Sequence, residues 1–341
     1  MGVELKDFVH AKTITFEELN GKVIAVDAHN MLYQFLTTIR QRDGSLLVNS
    51  KGEVTSHLNG LFYRCTSFME KGMKLVFVFD GKPPVLKRKE IERRRGIKEE
   101  ARIRFEKAEK EGDVEAMRKY SSRTTVLTKE MIEESKKLLR LLGIPIVQAP
   151  SEGEAQAAYM TQKDVFAAVS QDYDSLLSGS ERLVRNLSVE GKRKKAGKLA
   201  YEIVKPELIL LSEMLNTLGI DREQLIVIAM LIGTDYNPKG IPGIGPQKAL
   251  KLVKGQKDFD KIFEKAEWKK HTDVDWKEIF YTIKDMPVVK DYVLQWSMPD
   301  IEGIKEMLVD NNFSAERVEQ KLEKFVQEKE VREQTGLGRW S

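Results

Sequence analysis

Short runs of β-branched and aromatic residues recur along this chain, and each gives out onto a carboxylate. Val23-Ile24-Ala25-Val26 ends on Asp27, Leu75-Val76-Phe77-Val78-Phe79 on Asp80, and Val165-Phe166-Ala167-Ala168-Val169 leads to Asp172 and Asp174. Unbroken apolar runs of this length read as buried strands of a parallel sheet. The acids that follow them then gather at the carboxyl edge of the sheet, where open α/β folds bind ligands. The predicted fold is therefore α/β, a mainly parallel central sheet flanked by helices. For Asp27 a helix N-cap is the competing reading.

Ala149-Pro150-Ser151-Glu152-Gly153-Glu154-Ala155 adds two glutamates at the start of a helix running through Tyr159. Ser151 and Glu154 also have capping-box spacing, so a purely local role stands beside a shared site. Asp172 and Asp174, read as extended chain, point to one side and would present two oxygens to one ion. Carboxylates crowded against a core repel one another and take up protons unless positive charge is supplied. A pair of divalent metals would supply it.

After Asp27 the spacing predicts a helix from about Asn30 to Gln41, with Met31, Leu32, Phe35, Leu36 and Ile39 as its apolar stripe. Tyr33, Thr37 and Arg40 share another face, either covering the rim or offering a base-stacking platform beside a phosphate ligand. Residues 87–119 carry 13 Lys or Arg and 9 Asp or Glu with few large apolar residues, so this helical segment cannot be core. It is a solvated helix or an insertion over the active edge, where Lys87 and Arg94, on one helical face, reach a phosphate. Gly96 and Gly112 loosen it, allowing an order change when substrate arrives.

An amphipathic helix from Thr128 to Leu142 and a short strand over Gly143–Val147 lead back to Ser151. Leu183–Leu187 reads as a strand and Gly191–Gly197 as a basic hairpin tip, solvated or phosphate-binding. Helices are expected at about Pro206–Leu218 and Arg222–Ile232, the second ending in Gly233-Thr234-Asp235-Tyr236. Then comes Gly240-Ile241-Pro242-Gly243-Ile244-Gly245-Pro246-Gln247-Lys248, with the spacing of a helix-hairpin-helix. Gly243 and Gly245 shape a tight turn, Pro246 opens a helix, and free amides, helix dipole and Lys248 make a sequence-independent phosphate site. The hairpin carbonyls suit a monovalent cation such as K⁺. Residues 257–330 read as helical, with Trp268, Trp276, Phe280, Tyr281 and Trp296 in a core layer, and the tail 331–341 as loop.

Net charge is only +4, from 57 Lys and Arg against 53 Asp and Glu, so overall basicity does not establish a nucleic-acid partner. If the acids gather on metals, the remaining surface is more basic than the total. No apolar run approaches the roughly 18 residues that cross a bilayer, and Met1-Gly-Val-Glu-Leu lacks a signal peptide's apolar segment, which predicts a cytoplasmic protein without membrane contact. The lone Cys65 rules out an internal disulfide and packs as a small hydrophobe.

Taken together, these residues resemble the flap endonuclease family of structure-specific 5′ nucleases in its short archaeal form. The likeness runs from Asp27-Ala28 and Tyr33-Gln34-Phe35 through Phe79-Asp80-Gly81-Lys82-Pro83-Pro84, Glu152-Gly153-Glu154-Ala155 and Gln171-Asp172-Tyr173-Asp174-Ser175 to Gly233-Thr234-Asp235-Tyr236. It implies two Mg²⁺ or Mn²⁺ ions, one held by Glu152, Asp80 and Glu154, the other by Asp172, Asp174 and Asp235, with Asp27 as an outer organiser. By the same resemblance Lys87 and Arg94 are the basic pair at the foot of a helical arch, and Tyr33 and Arg40 the platform near the unpaired nucleotide. Gly2 matches a position near the junction.

The implied activity is two-metal cleavage of 5′ flaps, with 5′–3′ exonuclease action, in Okazaki-fragment processing and repair. Gln334, Leu337 and Trp340 resemble a sliding-clamp (PCNA) motif, although Ser341 stands where a second aromatic is usual. The expected organisation is one nuclease domain over residues 1–330, with the arch at about 82–130, the helix-hairpin-helix at about 222–255 and a clamp-binding tail at 331–341, acting as a monomer on branched DNA. The rival readings are a sister nuclease acting on bubbles or junctions, and a non-catalytic DNA adaptor whose acids are only caps.

Overall fold

The computed structural model describes residues 3–41, 43–187, 191–194 and 201–337. A short exposed strand, β1 (Lys12–Thr13), comes first, and the apolar runs do become strands: β2 (Val23–Asp27), β3 (Lys74–Phe79), β4 (Ile146–Gln148), β5 (Ala167–Val169) and β6 (Arg182–Arg185). A separate antiparallel hairpin, β7 (Gly191–Lys194) with β8 (Tyr201–Val204), precedes β9 (Glu207–Leu210); the expected basic tip, 195–200, lies outside the described residues. The main sheet has seven strands in the order β1-β9-β6-β5-β2-β3-β4. The five strands from β6 to β4 are parallel, and β9 and β1 join antiparallel at one edge.

The chain therefore leaves β2 first toward β3 and β4, then returns to its other side with β5. That reversal opens a crevice at the carboxyl ends of β2 and β5. Register fixes what lines it, since Val26 pairs with Val169 and Asp27 with Val78, so the acids after these strands emerge at one level.

The helices are α1 (Ala28–Thr38), α2 (Ser56–Glu70), α3 (Arg88–Glu111), α4 (Val114–Ser121), α5 (Lys129–Leu141), α6 (Gly153–Thr161), α7 (Asp174–Leu177), α8 (Leu211–Leu218), α9 (Arg222–Ile232), α10 (Pro246–Val253), α11 (Phe259–Lys265), α12 (Trp276–Lys284), α13 (Ile301–Asp310) and α14 (Ala315–Leu337). Strand residues alternate between two cores: Ile24, Val26, Leu75, Phe77 and Phe79 face the one built with α1, α2, α5, α13 and α14, while Ala25, Val76 and Val78 meet Ala157 and Met160 of α6. Burial on both faces is why these strands read as unbroken apolar runs. A further core surrounds α9, buried from Gln224 to Leu231, and holds Trp268 and Phe280. Cys65 is fully buried in the first core, as expected, and burial pushes its thiol far up. Among the described residues no helix is long and apolar enough to cross a membrane.

Several expectations need correction. Residues 207–210 form β9 rather than the start of a helix, because Glu207 and Leu208 bridge β6 and β1 in an antiparallel ladder whose pairing overrides helical spacing. The 257–330 stretch is not continuously helical: residues 286–300 form an extended strap across the outer sheet face. The strap is held where Gln156 and Val289 exchange two hydrogen bonds (2.9 and 2.7 Å) and where Trp296 Nε1 donates to the Leu75 carbonyl at 2.7 Å. Trp296 thus lies on the strap, and Tyr281 is 52% exposed, so neither belongs to the core layer. The tail is helical through Leu337, since α14 continues over residues read as loop, and Trp340 lies outside the described residues.

Candidate active site

Each acid is delivered by a different local device. Asp27 ends β2 and is nearly buried; its Oδ1 accepts the Asn30 amide at 3.0 Å, so it caps α1 while also facing the crevice. Asp80, one residue past β3, accepts the Gly153 amide on Oδ1 at 2.7 Å, and its Oδ2 lies 3.4 Å from His29 Nδ1. A Cβ at position 153 would stand 2.7 Å from that same Oδ1, so only glycine there leaves the carboxylate in place. Glu152 occupies the N-cap of α6 with no side-chain cap bond, and the expected Ser151–Glu154 capping box is absent. The first free amide of α6 goes to Asp80 instead, which releases both glutamates toward the crevice.

Asp172 and Asp174 do not reach the site as alternate residues of an extended chain. The strand stops at Val169, residues 171–173 bend, and Asp174 opens α7. The turn still brings both acids in: Asp172 Oδ2 accepts from Asn30 Nδ2 at 2.9 Å, and Asp174 Oδ1 accepts the Val3 amide at 2.8 Å. Asp235 sits on a turn locked by Asn237, whose side chain accepts from the Thr234 hydroxyl (2.6 Å) and donates to the Met230 carbonyl (2.6 Å).

All seven acids, Asp27, Asp80, Glu152, Glu154, Asp172, Asp174 and Asp235, line one open cavity of about 520 Å³. Burial, reinforced by neighbouring carboxylates, pushes Asp27 up to about 8 and Asp174 to about 6, and holds Glu154 well above the usual carboxylate range. Burial also raises Glu152, although Lys87 works against it. Such a set calls for compensating positive charge. Its oxygen-only chemistry fits hard divalent cations such as Mg²⁺ or Mn²⁺.

Among the described residues no three acid, His or Cys side chains already stand at ion-coordinating spacing. Protein cations engage the cluster instead. Lys87 Nζ pairs with Glu152 and lies 3.1 Å from Asp235, and Arg94 pairs with Asp235 and, at 2.6 Å, with Glu90. Burial alone would lower the Lys87 ammonium, but Glu152, Asp235 and Glu154 outweigh it and raise it. Glu90 is buried and held at about 2, chiefly by its hydrogen bonds from Arg93 against the cost of burial. This knot anchors the first turns of α3 over the acids, while the rest of α3 runs on to its C-cap, Gly112, with φ of +67°, and α4 follows.

Tyr33 lines the same cavity, with Lys98 Nζ 4.7 Å from its ring centroid. Arg40 does not share its face, because α1 ends at Thr38 and the guanidinium turns to the Gly44 carbonyl (2.9 Å) and Thr125 hydroxyl (2.6 Å). Gly2 lies outside the described residues. The hairpin after Asp235 is anchored by buried Ile241 and Ile244, leaving Gly243 and Gly245 exposed, and Pro246 opens α10. Lys248 Nζ donates to the Gly243 carbonyl at 3.1 Å, so a cation already rests on this turn.

Sequence reasoning missed Asn30, His29, Arg93 and Lys98, all lining the cavity. The polar His29-Asn30 pair directly after a strand-end acid was a usable signal. The Val3 amide on Asp174 was not, since 171 residues separate the two.

Comparison with known proteins gives the same picture. The XPG N-terminal domain family matches residues 1–101 and the XPG I-region residues 143–235. Flap endonuclease 1 of Pyrococcus abyssi is 53% identical over all of this chain and 98% of its own length, and that of Pyrococcus furiosus 51% over 100% and 99%. The structure of flap endonuclease-1 from Methanococcus jannaschii superposes with a TM-score of 0.73 at 44% identity, covering 96% of this chain and 98% of that one. With relatives this similar over its full length, the chain belongs to the flap endonuclease 1 family of structure-specific 5′ nucleases.

Proposed function

We propose that this protein cuts 5′ flaps at their junction with duplex DNA, with some 5′–3′ exonuclease action, during Okazaki-fragment processing and repair. The observation that carries the reading is the single cavity in which seven acids lie beneath a basic arch. Asp80, Glu152 and Glu154 would hold one Mg²⁺ or Mn²⁺, and Asp172, Asp174 and Asp235 a second, with Asp27 organising from behind. When bound, the ions supply a water nucleophile and counter-charge for the scissile phosphate.

The protein's own side chains do the rest. Lys87 and Arg94, already paired with these acids, turn to the phosphate and neutralise charge that develops on it. Tyr33 offers a ring face to the nucleotide drawn out of the duplex. Exposed Gly243 and Gly245, the start of α10 and Lys248 take duplex phosphates without reading sequence, with K⁺ on the hairpin carbonyls. Arg40 contributes only through the wall it builds with Thr125.

The domain limits follow: one nuclease body over 1–330, with its arch at about 82–130 and helix-hairpin-helix at about 222–255, working as a cytoplasmic monomer. Residues 331–341 form the clamp-binding end, with Gln334 and Leu337 on the last turns of α14. Matched flap, bubble and four-way substrates, assayed with and without Mg²⁺, test the activity. Preferential, Mg²⁺-dependent flap cleavage is expected; a bubble or junction preference, or binding without cleavage, replaces this reading with one of its rivals. Removing residues 334–341 should abolish sliding-clamp pull-down, and undiminished capture dismisses the clamp assignment.

A further inference from the structure

We propose that Asn30 is a positioning residue for the second ion site, fixing the orientation of the Asp172 carboxylate there. This rests on the divalent-ion reading of the cavity. Asn30 stands in the first turn of α1, at the crevice where the sheet reverses between β2 and β5. Its backbone amide and both side-chain polar atoms are engaged and join both strand ends. The backbone amide donates to Asp27 Oδ1 at 3.0 Å, Nδ2 donates to Asp172 Oδ2 at 2.9 Å, and Oδ1 accepts the Gln171 amide at 3.1 Å. Ser170 closes the loop, receiving the Asp172 amide at 3.2 Å and lying 3.4 Å from Asp27 Oδ2.

The chemistry explains why a carboxamide suits this position. Asp172 does not lie on a regular strand, so the bend at 171–173 leaves its carboxylate orientation to tertiary contacts. A neutral N–H stabilises the ionised carboxylate and sets its rotamer without adding positive charge. Lys87 and Arg94 also favour ionised acids, but as cations they compete with any metal for the same oxygens. Asn30 thus orients a ligand without repelling the ion, the role of groups one bond removed from a metal, whose loss costs roughly 10- to 100-fold in affinity.

Two variants separate the roles of this side chain. Asn30→Leu removes both side-chain bonds without adding charge, and Asn30→Gln keeps a carboxamide that can still donate to Asp172. The cap on α1 uses the Asn30 backbone amide and survives in each. Mn²⁺ binding to the DNA-free protein, measured by calorimetry and electron paramagnetic resonance, should weaken at least about 10-fold in Asn30→Leu and less in Asn30→Gln. Raised Mg²⁺ should recover flap cleavage, with KM for the flap unchanged. If Asn30→Leu binds Mn²⁺ as wild type does, the side chain does not position this ligand and the proposal fails. A rise in flap KM with unchanged Mn²⁺ affinity also overturns it, moving Asn30 to DNA contact. If wild type itself binds no Mn²⁺, the ion-site reading falls first, so the two failures are distinguishable. Thermal melting confirms that each variant is folded.

Discussion

Asp174→Asn is expected to reduce flap cleavage by about 10³-fold, the scale lost when one group of a charge-stabilising site is removed, while flap binding persists and the metal-free protein becomes more stable. The amide keeps an oxygen for the Val3 N–H, so local geometry is retained. What disappears is a buried charge that only a cation would balance. The sign of the stability change follows from linkage. Asp174 is raised from 3.8 to about 6 in the fold, and Asp27 to about 8. Below 3.8 both are neutral folded or unfolded, and neither destabilises. As pH climbs through these values the unfolded chain releases protons that the fold retains, so metal-free stability declines until both groups ionise. Melting temperatures in chelator should therefore fall from pH 5 to 8, with Mg²⁺ opposing the fall and Asp174→Asn flattening its lower part. Full-rate cleavage by the variant, or a lower melting temperature at pH 7, would sink this account.

Lys87→Met should slow single-turnover cleavage by roughly 10²- to 10³-fold and, in the DNA-free protein, tighten divalent-ion binding. Methionine preserves the apolar stem and deletes only the ammonium. In the absence of ions that ammonium sits on Glu152 and 3.1 Å from Asp235, two of the oxygen donors an ion would need. Its removal leaves the acids with greater mutual repulsion and so greater demand for a cation. Rapid-quench cleavage at saturating enzyme and Mn²⁺ calorimetry measure the two halves separately. If flap binding falls while the chemical step is unchanged, the charge-neutralising role assigned to Lys87 is wrong.

The parallel sheet and its acid edge were legible because burial on both faces leaves unbroken apolar runs, and because chain reversal beside β2 makes strand ends converge. Composition also marked α3 as a helix outside the core, whose charged sequence buries only Glu90, Ala101 and Ala108. Local pattern failed where tertiary pairing decided the outcome. Glu207–Leu210 has helical spacing but completes an antiparallel ladder. The 286–300 strap takes its path from Gln156 and the Leu75 carbonyl, contacts more than 130 residues distant in sequence. Arg40 left the Tyr33 face because α1 ends at Thr38, three residues short of the expected Gln41. At the site, residue types identified the donors, but the interval Asp172–Asp174 gave the wrong backbone, a bend where a strand was expected.

The last two helices pack back on the earliest part of the fold. Ile304, Leu308, Val318 and Leu322 share a core with Leu58 and Phe62 of α2, and Lys321 bonds Glu70 at 2.6 Å. During synthesis α2 therefore emerges from the ribosome with an apolar flank that stays wet until almost the whole chain has been made. That core can close only after the final helices are made, so its folding is a late event in the life of the chain.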